Sequence, residues 1–223
     1  HTLKFKNVVI DKSKVTSGQD VVAVHIGADA AVKLELEGDN QIIGGKDTPG
    51  ILVSQGATLE ISAKEGASVA KLTASTYSSP DSEGAAGIGG GSITDQGAIG
   101  KIVINSGDII AVGYKDFPGI GTSNTNSGEI IINGGIISAD PSSGNTKYRK
   151  AIQGQSVSST TGHFSIVKGD IYGNTAGLNT LVTNDTSNSQ FKVFGDVVLK
   201  DQTSGGIDWE NTVENISIQN GST

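Results

Sequence analysis

The sequence predicts an all-β chain wound as a right-handed parallel β-helix, with about seven to eight coils and three short strands per coil. Three observations predict it. First, a Gly-Ile phrase recurs at a fixed interval: Ile88, Ile120 and Ile152 stand 32 residues apart in Gly87-Ile88-Gly89, Gly119-Ile120-Gly121 and Ala151-Ile152-Gln153. Second, a polar spacer and a β-rich phrase ending in a turn follow each one: residues 100–107, 128–135 and 162–169. Third, these phrases alternate apolar and polar residues with period 2 and contain no helical spacing. A unit of this length buries its apolar side only by stacking on its neighbours.

In each repeat the Gly-Ile phrase is the first strand. The second strand is expected to point Ile102 and Ile104, Ile130 and Ile132, and Phe164 and Ile166 inward, with Val103, Ile131 and Ser165 outward. Turns follow at Asn105-Ser106-Gly107, Asn133-Gly134-Gly135 and Lys168-Gly169, where Gly and Asn tolerate positive φ. The third strand places Ile109, Ile137 and Ile171 inward, followed by the small residues Ala111, Ala139 and Gly173.

Fainter copies extend both ways. Upstream, residues 50–53 lead to 56–61, and Val22 to Ile26 lead to Val32 and Leu34, which lie 27 residues before Leu59 and Ile61. Downstream, residues 191–193, 196–199 and 216–218 continue the pattern. At about 4.8 Å per strand the stack would be roughly 35 Å long. Its ends would expose unpaired backbone, so Leu3-Lys4-Phe5 and Trp209 are the candidate caps. The handedness follows from the right-handed preference of parallel crossovers.

Composition narrows the function. Continuous repetition across residues 1–223 argues for a single domain, and short Ile and Val runs among the 32 Gly argue against disorder. A net charge of −7 and a lone Arg149 are the wrong field for nucleic acid. No run is long and apolar enough to predict membrane insertion, and no signal peptide is visible. The absence of Cys removes disulfides and thiolate metal sites. The chain reads as a monomeric piece of a longer protein.

The order Gly-Ala-Thr-Leu-x-Ile (56–61), Ala-Gly-Ile-Gly-Gly-Gly (86–91) and Gly-x-Ile-x-Ile-Asn-x-Gly (100–107) resembles a Gly-rich β-helix repeat. Such repeats occur in large surface proteins of Gram-positive bacteria. The resemblance spans about residues 22–172. It implies an adhesin-like, carbohydrate-binding region on the bacterial cell surface, outside the cell. It carries no catalytic residues and no sorting signal to transfer. After Lys147 the pattern departs from the family, and Gly-Ile-Gly becomes Ala151-Ile152-Gln153.

Catalysis on polysaccharide is the rival class. Glycoside hydrolysis needs two carboxyls on one face, and Asp108 and Asp170 fall at equivalent third-strand sites with Ile136 on the coil between. The sequence contains no Asp-Asp pair, and His163 precedes an inward Phe164. Lyases of this shape hold Ca²⁺ with several carboxylates. Asp81, Glu83, Asp95, Asp116, Asp140 and Asp185 are scattered without a calcium-loop spacing, so no cofactor is predicted, although a structural Ca²⁺ is compatible with them. A plain spacer carrying another domain is the third class.

One edge remains. The loops from each third strand to the next first strand are long and carry aromatics: Tyr77, then Tyr114 with Asp116 and Phe117, then Tyr148 with Arg149 and Lys150. Tyr172 follows on the outer side of a third strand. Sugars offer apolar C–H faces rimmed by hydroxyls, so aromatic faces beside charged hydrogen-bonders suit them. In a chain only 4% aromatic, tyrosines in equivalent loops single out this edge, though the same rings would also serve to cover corner apolar surface. The expected partner is a polysaccharide or host matrix glycan.

Overall fold

The computed structural model describes residues 1–15, 21–92, 98–123 and 127–140, with the strands at 152–154, 156–158, 164–168, 171–173 and 197–199. Within these residues the chain is all-β, without a helix. The strands fall into three groups. Sheet 1 holds β3 (Val24–Ile26), β5 (Ile51–Val53), β8 (Ile88–Gly89), β11 (Ile120–Gly121), β14 (Ile152–Gly154) and β17 (Ile171–Gly173). Sheet 2 holds β1 (Thr2–Lys6), the start of β4 (Ala31–Lys46), β6 (Thr58–Ala63), β9 (Lys101–Ile104), β12 (Glu129–Ile132) and β15 (Ser156–Ser158). Sheet 3 holds β2 (Val9–Asp11), the rest of β4, β7 (Ala70–Tyr77), β10 (Asp108–Val112), β13 (Ile136–Asp140), β16 (Phe164–Lys168) and β18 (Val197–Leu199).

Among the described residues every strand pairing is parallel, and the one antiparallel contact is an isolated bridge between Ala85 and Gly91. The chain visits sheets 2, 3 and 1 in turn, so each strand pairs with its counterpart one level on. Sheets 2 and 3 are continuous through β4, which curls at Gly38 (φ +72°). A side chain there would collide with Asn7, whose Oδ1 accepts from the Asp39 amide at 3.1 Å.

The core follows the alternation. In sheet 2 one column runs Leu59, Ile102, Ile130 and a second runs Leu34, Ile61, Ile104, Ile132. Sheet 3 adds Leu72, Ile109, Ile137 and the small column Ala74, Ala111, Ala139, while sheet 1 adds Ile51, Ile88, Ile120, Ile152. All are essentially solvent-free. Fully burying an aliphatic chain of this size contributes about 1.5–3 kcal/mol, so the columns are the main cohesive force. Val103 and Ile131 lie outward and half-exposed, as their phase requires.

The structure departs from the sequence reading at the far levels. Phe164 and Ile166, expected in the second strand, lie on β16 in sheet 3, where Ile137 pairs with Ile166. The second-strand place is taken by β15, with Val157 opposite Ile130. Likewise Ile171 belongs to sheet 1, opposite Ile152, rather than to the third-strand column. The cause is spacing. A single residue separates β14 from β15, and the polar Ser156-Val157-Ser158 is a weaker apolar signal than the phrase after it. Leu3-Lys4-Phe5, a candidate cap, lies in β1, which pairs with β4 in sheet 2; Trp209 and His163 lie outside the described residues.

Asn40 is a core residue that alternation would assign to an aliphatic: it opposes Leu72 and is fully buried. Its Oδ1 accepts from the Val8 amide at 2.9 Å, and its Nδ2 donates to the Lys71 carbonyl at 3.0 Å. A buried amide persists only when satisfied in this way.

The outer face of sheet 2 is zipped by charge. Lys4 meets Glu35, Lys33 meets Glu60, and Lys101 meets Glu129, at 3.6, 3.5 and 3.0 Å. Glu37 is held between Lys6 at 2.9 Å and Lys64 at 2.6 Å. Hydrogen bonds first from Lys6 and then from Lys64 lower the Glu37 pKa to about 2, and Glu37 in turn raises that of Lys64. A carboxyl depressed in the fold stabilises it above its unfolded value near 4.5 and loses that contribution as pH falls toward 2. A carboxyl-resolved NMR titration should therefore find Glu37 ionised well below pH 4. Because the group is solvent-accessible, added salt should shrink the shift.

Candidate functional site

The loops that carry sheet 3 into sheet 1 form a wall along one edge. The first spans residues 47–50, the second 78–87 and the third 113–119. Asp47, in the left-handed region at φ +60°, turns its carboxylate into the second loop. Its Oδ1 accepts from the Ser82 hydroxyl, from the Glu83 amide at 2.5 Å and from the Gly84 amide at 3.0 Å. Three donors on a buried carboxylate make a firm tie, since charge-assisted bonds out of water exceed neutral ones. The third loop is tied to the second by the Tyr114 amide donating to the Ala85 carbonyl at 2.9 Å, and by the Lys115 ammonium on the Pro80 carbonyl at 3.5 Å.

The first and third loops share a sequence motif, with the left-handed residue at Asp47 (φ +60°) in one and at Lys115 (φ +55°) in the other. Residues 44–51 and 113–120 both read Gly-x-Lys-Asp-x-Pro-Gly-Ile. Both turns close alike: the Thr48 amide donates to Gly45 and the Phe117 amide to Tyr114. In both, the leading glycine has no room for a side chain, because a Cβ at Gly44 or Gly113 would lie 2.5 or 2.2 Å from the carbonyl of Pro49 or Pro118. This repetition is a signal that aromatic counting in the sequence passes over. The two copies differ in outcome, for Asp47 is buried and Asp116 exposed.

The wall gathers some of the candidate residues and not others. Tyr77 ends β7 opposite Lys46 and is 39% exposed. Tyr114 and Lys115 are half-exposed, and Asp116 is exposed, as are Lys46 at the end of β4 and Asp81 and Glu83 on the second loop. Phe117 is a correction: only 7% exposed, it is buried and offers no surface contact. Tyr172 is a second correction. Its strand lies in sheet 1, with Tyr172 opposite Gln153, instead of on the outer side of a third strand. Tyr148, Arg149 and Lys150 lie outside the described residues.

The carboxyl pair also dissolves. Asp108 has Lys71 on one side and Ile136 on the other, and the residue opposite Ile136 at the next level is Ser165, not Asp170. Among the described residues no three His, Asp or Glu side chains converge in a way that could hold a metal ion, and no helix is long and apolar enough to cross a membrane.

Sheet 1 supplies the wall with a close-packed flank. Gly89 (φ +139°) and Gly121 (φ +116°) stack in one column, and a Cβ on either would lie 1.9 or 1.8 Å from the carbonyl oxygen of the next level, on Gly121 or Gln153. The loops are thereby held at one fixed height per level. A comparison of the chain with protein-family models finds no match, and comparisons with curated proteins and with solved structures find no significant one.

Proposed function

We propose that this chain is a right-handed, three-sided parallel β-helix acting as a non-catalytic module on the outside of a bacterial cell, where its loop wall binds polysaccharide. The return of each strand from β5 to β14 to a parallel partner three strands on supports the helix reading, and the general preference for right-handed crossovers supports the hand. The observation that carries the binding reading is the wall itself: loops tied to one another through Asp47, Ala85 and Pro80 keep Tyr77 and Tyr114 accessible beside Lys46, Asp81 and Glu83. A rigid aromatic and polar edge of this kind suits an extended sugar chain, because little ordering entropy is lost on binding. The isolation of Asp108 between Lys71 and Ile136 favours recognition over hydrolysis.

Glycan-array screening followed by affinity measurement tests the reading. Each tyrosine face is worth about 1 kcal/mol, so the double variant Tyr77→Ala/Tyr114→Ala should bind the selected glycan roughly tenfold to thirtyfold more weakly, with an unchanged denaturation midpoint. An array without hits would remove the glycan. Full affinity in the double variant would remove the wall as its site.

A further inference from the structure

Lys46, Tyr77 and Tyr114 stand in one column. Lys46 is opposite Tyr77 in the ladder of β4 and β7, and Ser75 is opposite Val112 in the ladder of β7 and β10. Tyr77 lies two residues past Ser75, and Tyr114 two residues past Val112, so the tyrosines hold equivalent places on successive levels. The pleat agrees: Ser75 and Val112 are half-exposed on the outer side, whereas Ala74 and Ala111 beside them are sealed. Lys46 joins the column through an irregularity. β4 advances three residues from Ile43 to Lys46 while β7 advances two from Ser75 to Tyr77, and a bulge of this kind re-aims the side chain that follows it.

The spacing of the levels matches a sugar chain. Neighbouring parallel strands lie about 4.8 Å apart, close to the length that one pyranose ring adds to an extended 1,4-linked chain. The upper place is fixed by backbone, for the Tyr114 amide donates to the Ala85 carbonyl at 2.9 Å. Gly84 lets that level sit close, since a Cβ there would run into the Tyr114 carbonyl oxygen. A chain end is recognised by a pocket that buries one ring on most sides. These three side chains are instead exposed or half-exposed and follow one another along the edge.

Resting on the reading that the wall binds polysaccharide, we propose that its ligand is an internal segment of an unbranched, 1,4-linked chain. The chain lies along the stacking direction, with one ring each at Lys46, Tyr77 and Tyr114. The two tyrosine rings take the C–H faces of successive sugars, and the Lys46 ammonium donates to hydroxyls of the third.

The test is an array of linear 1,4-linked glucan, mannan, galactan and N-acetylglucosamine chains of one to six rings, beside 1,3-linked and branched glycans, with calorimetry on the series that binds. Affinity should rise at least tenfold from the disaccharide to the tetrasaccharide, and blocking the non-reducing end of the hexasaccharide should leave it unchanged. Lys46→Ala should weaken the tetrasaccharide roughly threefold to tenfold and spare the disaccharide, which the two tyrosines already fill. Lys46 is exposed, so this variant should keep its denaturation midpoint. Binding confined to branched, terminal or 1,3-linked sugars, affinity independent of length, or a tetrasaccharide that binds Lys46→Ala undiminished would each overturn the proposal and leave the wall as a binding site. An array without a hit of any linkage would remove the polysaccharide reading as well, so the two failures are told apart.

Discussion

Gly121→Ala should be among the most damaging single substitutions in the chain, whereas Gly66→Ala should be tolerated. Both glycines have positive φ, +116° and +73°. Gly66 has nothing within 4 Å of a built Cβ, so an alanine there carries only the left-handed backbone penalty of about 1–2 kcal/mol. At Gly121 the Cβ would lie 1.8 Å from the Gln153 carbonyl oxygen, and backbone cannot step aside as a side chain tip can. Backbone strain of about 1–3 kcal/mol and overpacking of a similar size add there, for an expected loss of about 4 kcal/mol. Urea midpoints of the two variants, with the soluble fraction of each, measure the difference. Equal midpoints would show that adjacent levels of sheet 1 do not press together at this column.

Asp47→Ala should cost about 3 kcal/mol, with the damage concentrated in the second loop. Removing the carboxylate takes the acceptor from the Ser82 hydroxyl and the Glu83 amide, and leaves the Gly84 amide only its 3.2 Å bond to the Ser82 hydroxyl oxygen. Each orphaned group costs about 1–3 kcal/mol, less what water recovers. Asp116→Ala, at the equivalent place in the twin loop but exposed, should change stability by no more than about 0.5 kcal/mol. Hydrogen exchange at Glu83 and Gly84 should accelerate in the first variant and not in the second. If the wall binds glycan as proposed, Asp47→Ala should also weaken binding although Asp47 is buried, because Tyr77 and Tyr114 then flank an unpinned loop. Unchanged exchange at Gly84 would refute the role of Asp47 as the tie between loops.

These predictions mark how far the sequence could be read. The Ile and Ala columns of sheets 2 and 3 were legible because alternation over a few residues is a local property, set by the pleat of the strand. The 32-residue recurrence of Ile88, Ile120 and Ile152 was legible for a related reason: stacked equivalents need one another's chemistry. The path beyond Ile152 was not. Apolar strength marks Phe164 and Ile166 as the next second strand, but the short link to β15 carries the polar Ser156–Ser158 into that place instead. Asn40 was illegible as a core residue because its partners, Val8 and Lys71, lie roughly thirty residues to either side.

The candidate site divides in the same way. Aromatic loops at one edge could be read from spacing, and Tyr77 and Tyr114 do reach the surface there. Which side chains are buried or moved off the edge could not: Phe117 is sealed from solvent, and Tyr172 leaves the edge with its strand. The twin motif shows the limit most plainly. Lys46-Asp47 and Lys115-Asp116 are the same words, but the left-handed residue is Asp47 in one copy and Lys115 in the other, and Asp47 is a buried tie where Asp116 is an exposed charge.

By itself the sequence determined the strand phase, the inward aliphatic columns as far as Ile152 and the glycine turns at Gly107 and Gly135, because side-chain alternation and backbone freedom act within a few residues. The tertiary structure decided which level each strand joins, which aspartate is sealed and which aromatics stay outside. Those outcomes depend on neighbours thirty or more residues away, brought close only when one level settles onto the next.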